Sequence, residues 1–218
     1  MTALVLAALA AVSFPVTTDA VAQASFDRGL FEYYAYDGAD AVNAFASALA
    51  REPNLAMAFW GEALADGPDL NTAMTEERFA RGRVAATSAV AFEARATPAQ
   101  RRFIDAMALR YRGTWDDWKS DDAAYRDAMA ALASKGSTGT DETAALLAAE
   151  ALFETGGLTW IGTSPASPDA RRGLALIENV MARDPDNVMA NHLCLHLYDF
   201  ASDRAPARAC AQRLDAAV

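Results

Sequence analysis

Between Phe26 and Pro53 the chain reads FDRGLFEYYAYDGADAVNAFASALAREP, and the spacing of Gly29, Ala41, Phe45, Ala48 and Pro53 within it constrains the fold more than any other feature. Small residues at Gly29, Ala41 and Ala48 let two helices approach closely, and Phe45 fills the groove between them. Pro53 ends the second helix, because it offers no N–H and clashes with the preceding turn. The pattern returns near the other end, where Gly173, Ile177, Val180 and Pro185 take the second-helix positions of one unit and Ala207, Ala211 and Leu214 those of the next. A helix pair of this kind cannot bury its apolar face alone and has to stack on its neighbours. The expected fold class is therefore all-α, a helical repeat array or α-solenoid of antiparallel helix pairs.

The spacings are those of the tetratricopeptide repeat (TPR), whose period is about 34 residues. They are clearest over 25–58 and 154–218, with degenerate helices between. Thr97-Pro98 opens a helix through AQRRFIDAMALRYRG, with threonine as N-cap and proline at the first helical position, where its missing N–H costs nothing. Two further helices are expected at Asp121–Ser134 and Asp141–Phe153, and the clear loops are 135–140 and 157–169. No segment alternates with period two between turn signals, so essentially no sheet is expected.

Composition narrows the class of partner. Hydrophobic residues make up 53% of the chain, and 29 acidic against 19 basic residues give a formal net charge of −10. Without a basic patch, nucleic acid and anionic membrane are poor candidates for partners. The opening MTALVLAALAAV has the length of a signal-peptide apolar region, although no basic residue precedes it. Residues 1–24 are read as a signal peptide, with A-x-A sites at Ala20-Val21-Ala22 and Ala22-Gln23-Ala24, leaving 25–218 as the repeat domain of a periplasmic or secreted protein. The run is too short for a transmembrane span, and no later segment is apolar enough for one. Cys194 and Cys210 are read as small buried hydrophobes in preference to a disulfide between antiparallel helices.

Several stretches in order, FDRGLFEYYAYDGADAVNAF, LAMAFWGEALADGPDLN, RRFIDAMALRY, AAYRDAMAAL, AAEAL and ARDPDNVMANHLCLHLYD, resemble a family of large exported bacterial TPR proteins. The chain resembles the family's N-terminal part. The resemblance implies a histidine segment of the form H-Y-x-I-H-x-Y-D, matched by His192, His196, Tyr198 and Asp199, and a later H-M-P-S-H-I-F stretch that has no counterpart here. It implies no established reaction. The last residues, AQRLDAAV, run on in a helical pattern with no polar capping helix. The expectation is a missing C-terminal half or a last helix covered by a partner, including a second copy in a homo-oligomer.

The chemistry-bearing candidates converge on NHLCLHLYDF. At about 100° per residue, His196 lies about 40° from His192 on the helix and Asp199 about 20° to its other side. Two imidazoles and one carboxylate form a ligand set for a divalent transition metal such as Zn, Fe or Cu, with open positions for water or substrate. Glu150 and Glu62 stand in otherwise apolar helical stretches and are candidate further ligands, or acceptors for an imidazole N–H. The alternative for both glutamates is an exposed position beside the buried face. For the histidines it is a place in the groove between repeats, bonded to backbone or to Tyr198. H-E-x-x-H is absent, as are a phosphate-binding glycine loop, a dinucleotide fingerprint and G-x-S-x-G. Cys194 is a poor nucleophile candidate, since residues two apart on a helix do not face each other.

Trp60, Asn71 and Tyr198 are the expected binding-surface residues, and Trp115-Asp116-Asp117-Trp118 reads as the anchor of a helix–helix connection. The leading functional expectation is an exported binding or scaffold protein whose concave helical surface takes a peptide, protein or small ligand. The alternative is a metal-binding protein, in the extreme a metal-dependent enzyme. No cofactor is required by the first reading.

Overall fold

The computed structural model describes residues 12, 14–134 and 140–217. They form ten α-helices: α1 (Ala20–Tyr34), α2 (Gly38–Arg51), α3 (Ala56–Ala65), α4 (Glu76–Phe92), α5 (Pro98–Arg110), α6 (Trp118–Ala133), α7 (Thr140–Gly156), α8 (Pro168–Arg183), α9 (Val188–Asp199) and α10 (Ala205–Ala217). The chain is thus all-helical, with neighbouring helices packed on one another. No helix is long and apolar enough to cross a membrane among the described residues. One detail departs from the sequence expectation: the 157–169 loop folds back as a two-residue antiparallel pair, β1 (Trp160–Ile161) and β2 (Ser164–Pro165).

The helices fall into two compact units, one of residues 12–128 and one beginning at Met129. In the first, α1 meets α2 and α2 meets α3 through a single aromatic side chain. An added Cβ on Gly29 of α1 would lie 2.5 Å from the Phe45 ring of α2, and one on Gly61 of α3 also 2.5 Å from it. Glycine is required at both places because the ring occupies the volume where any side chain would start. Phe45 leads into an aromatic core, with Phe26 at 5.4 Å between ring centroids, and Trp60 edge-on to Phe103 at 5.8 Å.

Phe14, which precedes the first helix, completes that core. It is 1% exposed, and its ring lies 5.2 Å from Phe103 and 6.3 Å from Phe26. The extended segment around it is hydrogen-bonded in place: Gln100 Nε2 donates to the Pro15 carbonyl at 2.9 Å, and the Val16 N–H donates to Gln23 Oε1 at 2.8 Å. Asp19 then caps α1, accepting from the Val21 and Ala22 N–H groups, and pairs with Arg51 at the end of α2. From Phe14 onward, the stretch read as a signal peptide is therefore part of the packed unit, and both A-x-A sites lie inside α1. Residues 1–11 and 13 lie outside the described residues.

The local signals that end helices act as expected. Thr97 forms a capping box with Gln100, and Pro98 opens α5. The tryptophans of 115–118 stack at 5.9 Å, and Trp115 also meets Phe79 of α4 edge-on at 6.0 Å. Long-range polar contacts fix the remaining register of this unit. Tyr111 donates its hydroxyl to the Ala63 carbonyl at 2.7 Å, and Arg110 and Asp122 form a buried pair at 2.7 Å with the guanidinium over the Tyr125 ring.

The second unit repeats the device. Phe153 of α7 lies against Gly173 of α8, where an added Cβ would be 2.5 Å from the ring. Ile177 and Val180 follow on the buried face of α8. Helix α9 packs on α8, α7 and α10.

Candidate functional site

Helix α9 is positioned from both ends. At its start the Asn187 side chain accepts from the Ala190 N–H at 3.0 Å, while its own Nδ2 donates to Glu142 Oε1 at 2.8 Å. One turn on, the fully buried Asn191 donates from Nδ2 to the carbonyls of Pro185 and Asn187. Near its end, Trp160 of β1 donates Nε1–H to the Leu197 carbonyl at 2.8 Å, an orphan acceptor of the last turn, and its ring lies tilted against Tyr198 at 5.0 Å. In the middle, Cys194 is bonded to Cys210 of α10, with Cα atoms 6.3 Å apart. This corrects the expectation of two unbonded cysteines. Both are indeed buried, but packing of α10 on α9 brings them to bonding distance.

On this braced helix His192 and His196 are half-buried neighbours one turn apart. Their Nε2 atoms are 3.1 Å from each other, and the ring centroids are 4.9 Å apart with planes inclined by 29°. Asp199 does not join them. Its side chain is 62% exposed and lies 3.7 Å from Arg204. Asp199 shares the angular stripe of the histidines, but seven residues from His192 also advance about 10 Å along the axis, so shared direction is not shared position. Among the described residues, no three His, Cys, Asp or Glu ligand atoms that include a histidine lie within 4.8 Å of one another.

Glu150 is buried on α7 at 4% exposure, a place a carboxylate holds only with compensating contacts. It therefore does not take the exposed position considered for it. Glu62 belongs to the first unit and is half-buried on α3, where burial first, and then the charge of Asp66, push its carboxyl above the usual range. Beside it is a cleft of about 490 Å³ lined by Val42 of α2, Phe59 of α3, Asp66 just after α3, and Arg81, Val84 and Ser88 of α4. Arg81 pairs with Asp66 at 2.6 Å, and Phe59 stacks on Phe92 at 5.7 Å. A second cleft of about 460 Å³ shares Val42, Asp66 and Arg81 with the first, so the two run together along α2, α3 and α4.

The expected binding-surface residues separate. Trp60 is fully buried in the aromatic core and is not available as a surface residue. Asn71 is exposed, in a turn where its N–H and that of Thr72 donate to Asp69 Oδ1. Tyr198 is half-buried, and burial, followed by the charge of Glu178, raises its hydroxyl pKa.

Sequence reasoning missed the α2–α4 cleft, whose walls are ordinary helix-surface residues. It also passed over the cluster of Glu32, Asp37 and Asp40 at the α1–α2 turn, where Glu32 pairs with Arg28 and Asp37 caps α2. No family model, no curated protein and no solved structure matches the chain.

Proposed function

We propose that this chain is an exported helical-repeat binding protein of the tetratricopeptide type, similar to the large bacterial TPR proteins named above, and that the cleft along α2–α4 takes an extended peptide. The observation that carries this reading is the Phe45 ring seated on Gly29 of one helix and Gly61 of another. This single-residue joint is what lets successive helix pairs stack as repeats do, and stacked pairs leave grooves between helices. Phe153 on Gly173 supports the same reading for the second unit. The Cys194–Cys210 disulfide supports export, because such bonds persist in oxidising compartments.

The cleft has the composition of a peptide site. Its apolar surface comes from Val42, Phe59 and Val84, the last of them 69% exposed, and Glu62, Asp66 and Arg81 supply charge along it. An apolar side chain laid over Val84 and Phe59 removes surface worth about 1.5–3 kcal/mol per residue from water. The partly compensated carboxylates favour a basic residue next to it.

A peptide library screened by fluorescence anisotropy against the whole chain tests this. Bound sequences should share an apolar residue beside Lys or Arg, and Val84→Asp or Phe59→Ala should each weaken them at least about tenfold. Peptides that bind equally well to both variants, or a library with no binder, would defeat the proposal.

A further inference from the structure

We propose that His192 and His196 form a two-imidazole chelating site for a divalent late transition-metal ion, with Cu²⁺ held most tightly. The inference does not depend on the peptide-binding reading. An ion 2.0–2.1 Å from both Nε2 atoms, the usual length of a metal–imidazole bond, subtends about 100° at their separation of 3.1 Å. That angle lies between the octahedral and tetrahedral values, so one ion can span both nitrogens at ordinary bond lengths. A linear N–H···N bond between the imidazoles would instead hold the ring centroids about 5.4 Å apart. At the observed 4.9 Å the rings are offset from the line that joins the two nitrogens, which leaves room for an ion beside that line.

The site is rigid for a reason outside the two side chains. The disulfide holds α9 to α10 two residues from each histidine, the Trp160 N–H fixes the Leu197 carbonyl beside His196, and Asn187 caps the start of the helix. Chelation at fixed geometry loses little ordering entropy. The donor set selects the ion: imidazole nitrogens suit Cu²⁺, Ni²⁺ and Zn²⁺, with Cu²⁺ the tightest of the series. Two protein ligands leave coordination positions for water or for a donor group on a bound molecule.

The composition makes the test unambiguous. The chain has two histidines and two cysteines in all, and both cysteines are consumed in the disulfide. Nitrogen ligation from side-chain imidazole can therefore come from this pair alone.

Untagged full-length protein, disulfide intact, is titrated with CuCl₂ and followed by electron paramagnetic resonance and thermal unfolding. Expected are one Cu²⁺ per chain with hyperfine splitting from two imidazole nitrogens, and a rise in Tm of about 5–10 °C at free Cu²⁺ a hundred times Kd. His192→Ala and His196→Ala should each lower the Cu²⁺ affinity at least about a hundredfold, and His196→Gln, which keeps a polar side chain, should do the same with an unchanged circular dichroism spectrum. A spectrum with one nitrogen or oxygen ligands only, or Cu²⁺ bound as tightly by the folded His196→Gln protein, would overturn the assignment. Such binding would instead belong to the chain terminus or to carboxylates such as Glu32, Asp37 and Asp40.

Discussion

Replacing Phe14 by alanine is expected to destabilise the first unit more than any change on its surface, although Phe14 lies in no helix. The side chain is 1% exposed, with Phe103, Phe26 and Trp60 at centroid distances of 5.2, 6.3 and 6.4 Å. Phe→Ala at a site of this burial costs about 3–5 kcal/mol, the sum of lost transfer energy and the cavity left behind. Against a total stability of about 5–15 kcal/mol this is a large fraction. For a chain of this size it corresponds to a fall of about 6–20 °C in Tm.

A chain beginning at Ser25, the product of cleavage after Ala24, should lose more. It also lacks the Asp19 cap, worth about 1 kcal/mol, and the bonds from Gln23 to the extended segment. Urea unfolding followed by tryptophan fluorescence suits the question, since Trp60 sits in the same cluster as Phe14. If Phe14→Ala stays within about 1 kcal/mol of the parent, or the chain from Ser25 unfolds at the same urea concentration, Phe14 is not part of the working core.

Gly29→Ala puts a methyl group 2.5 Å from the Phe45 ring, so the ring or the helix must shift; the expected cost is about 1–3 kcal/mol, measured by thermal unfolding, and Gly29→Ala with Phe45→Leu should recover part of it. Glu62→Gln tests the raised carboxyl. Because the folded state holds that proton more tightly, stability is lost as pH rises from the ordinary value of 4.5 through the higher folded-state pKa, so the variant should match the parent below that window and exceed it at neutral pH. Cys194→Ser with Cys210→Ser should lower stability by about 3 kcal/mol, the loop-closure contribution for a separation of 16 residues, in denaturant melts of the second unit monitored at Trp160. An equal melt for parent and variant would show that the disulfide leaves the unfolded chain no more restricted.

What the sequence determined by itself was everything set by spacing along a helix. The small residues and phenylalanine of Gly29, Ala41, Phe45 and Ala48 are buried as their period requires, Thr97-Pro98 opens α5, and His192 and His196 share a face because residues four apart always do. Those features depend on chain neighbours within a turn or two, so a one-dimensional pattern contains them.

Tertiary packing decided the rest. Trp60 on α3 reads from the sequence as a binding-surface residue, and Phe14 and Phe103, distant in sequence, close around it and make it core. Phe14 itself sits in a stretch whose apolar composition suits an export signal, and only its partners on α1 and α5 make it core. Cys194 and Cys210 become a bond because α10 folds back on α9. Asp199, aligned with the histidines in angle, is set apart by axial rise and turns to Arg204. In each case the deciding quantity is a distance between groups that are not helical neighbours, and such a distance exists only after the helices have packed.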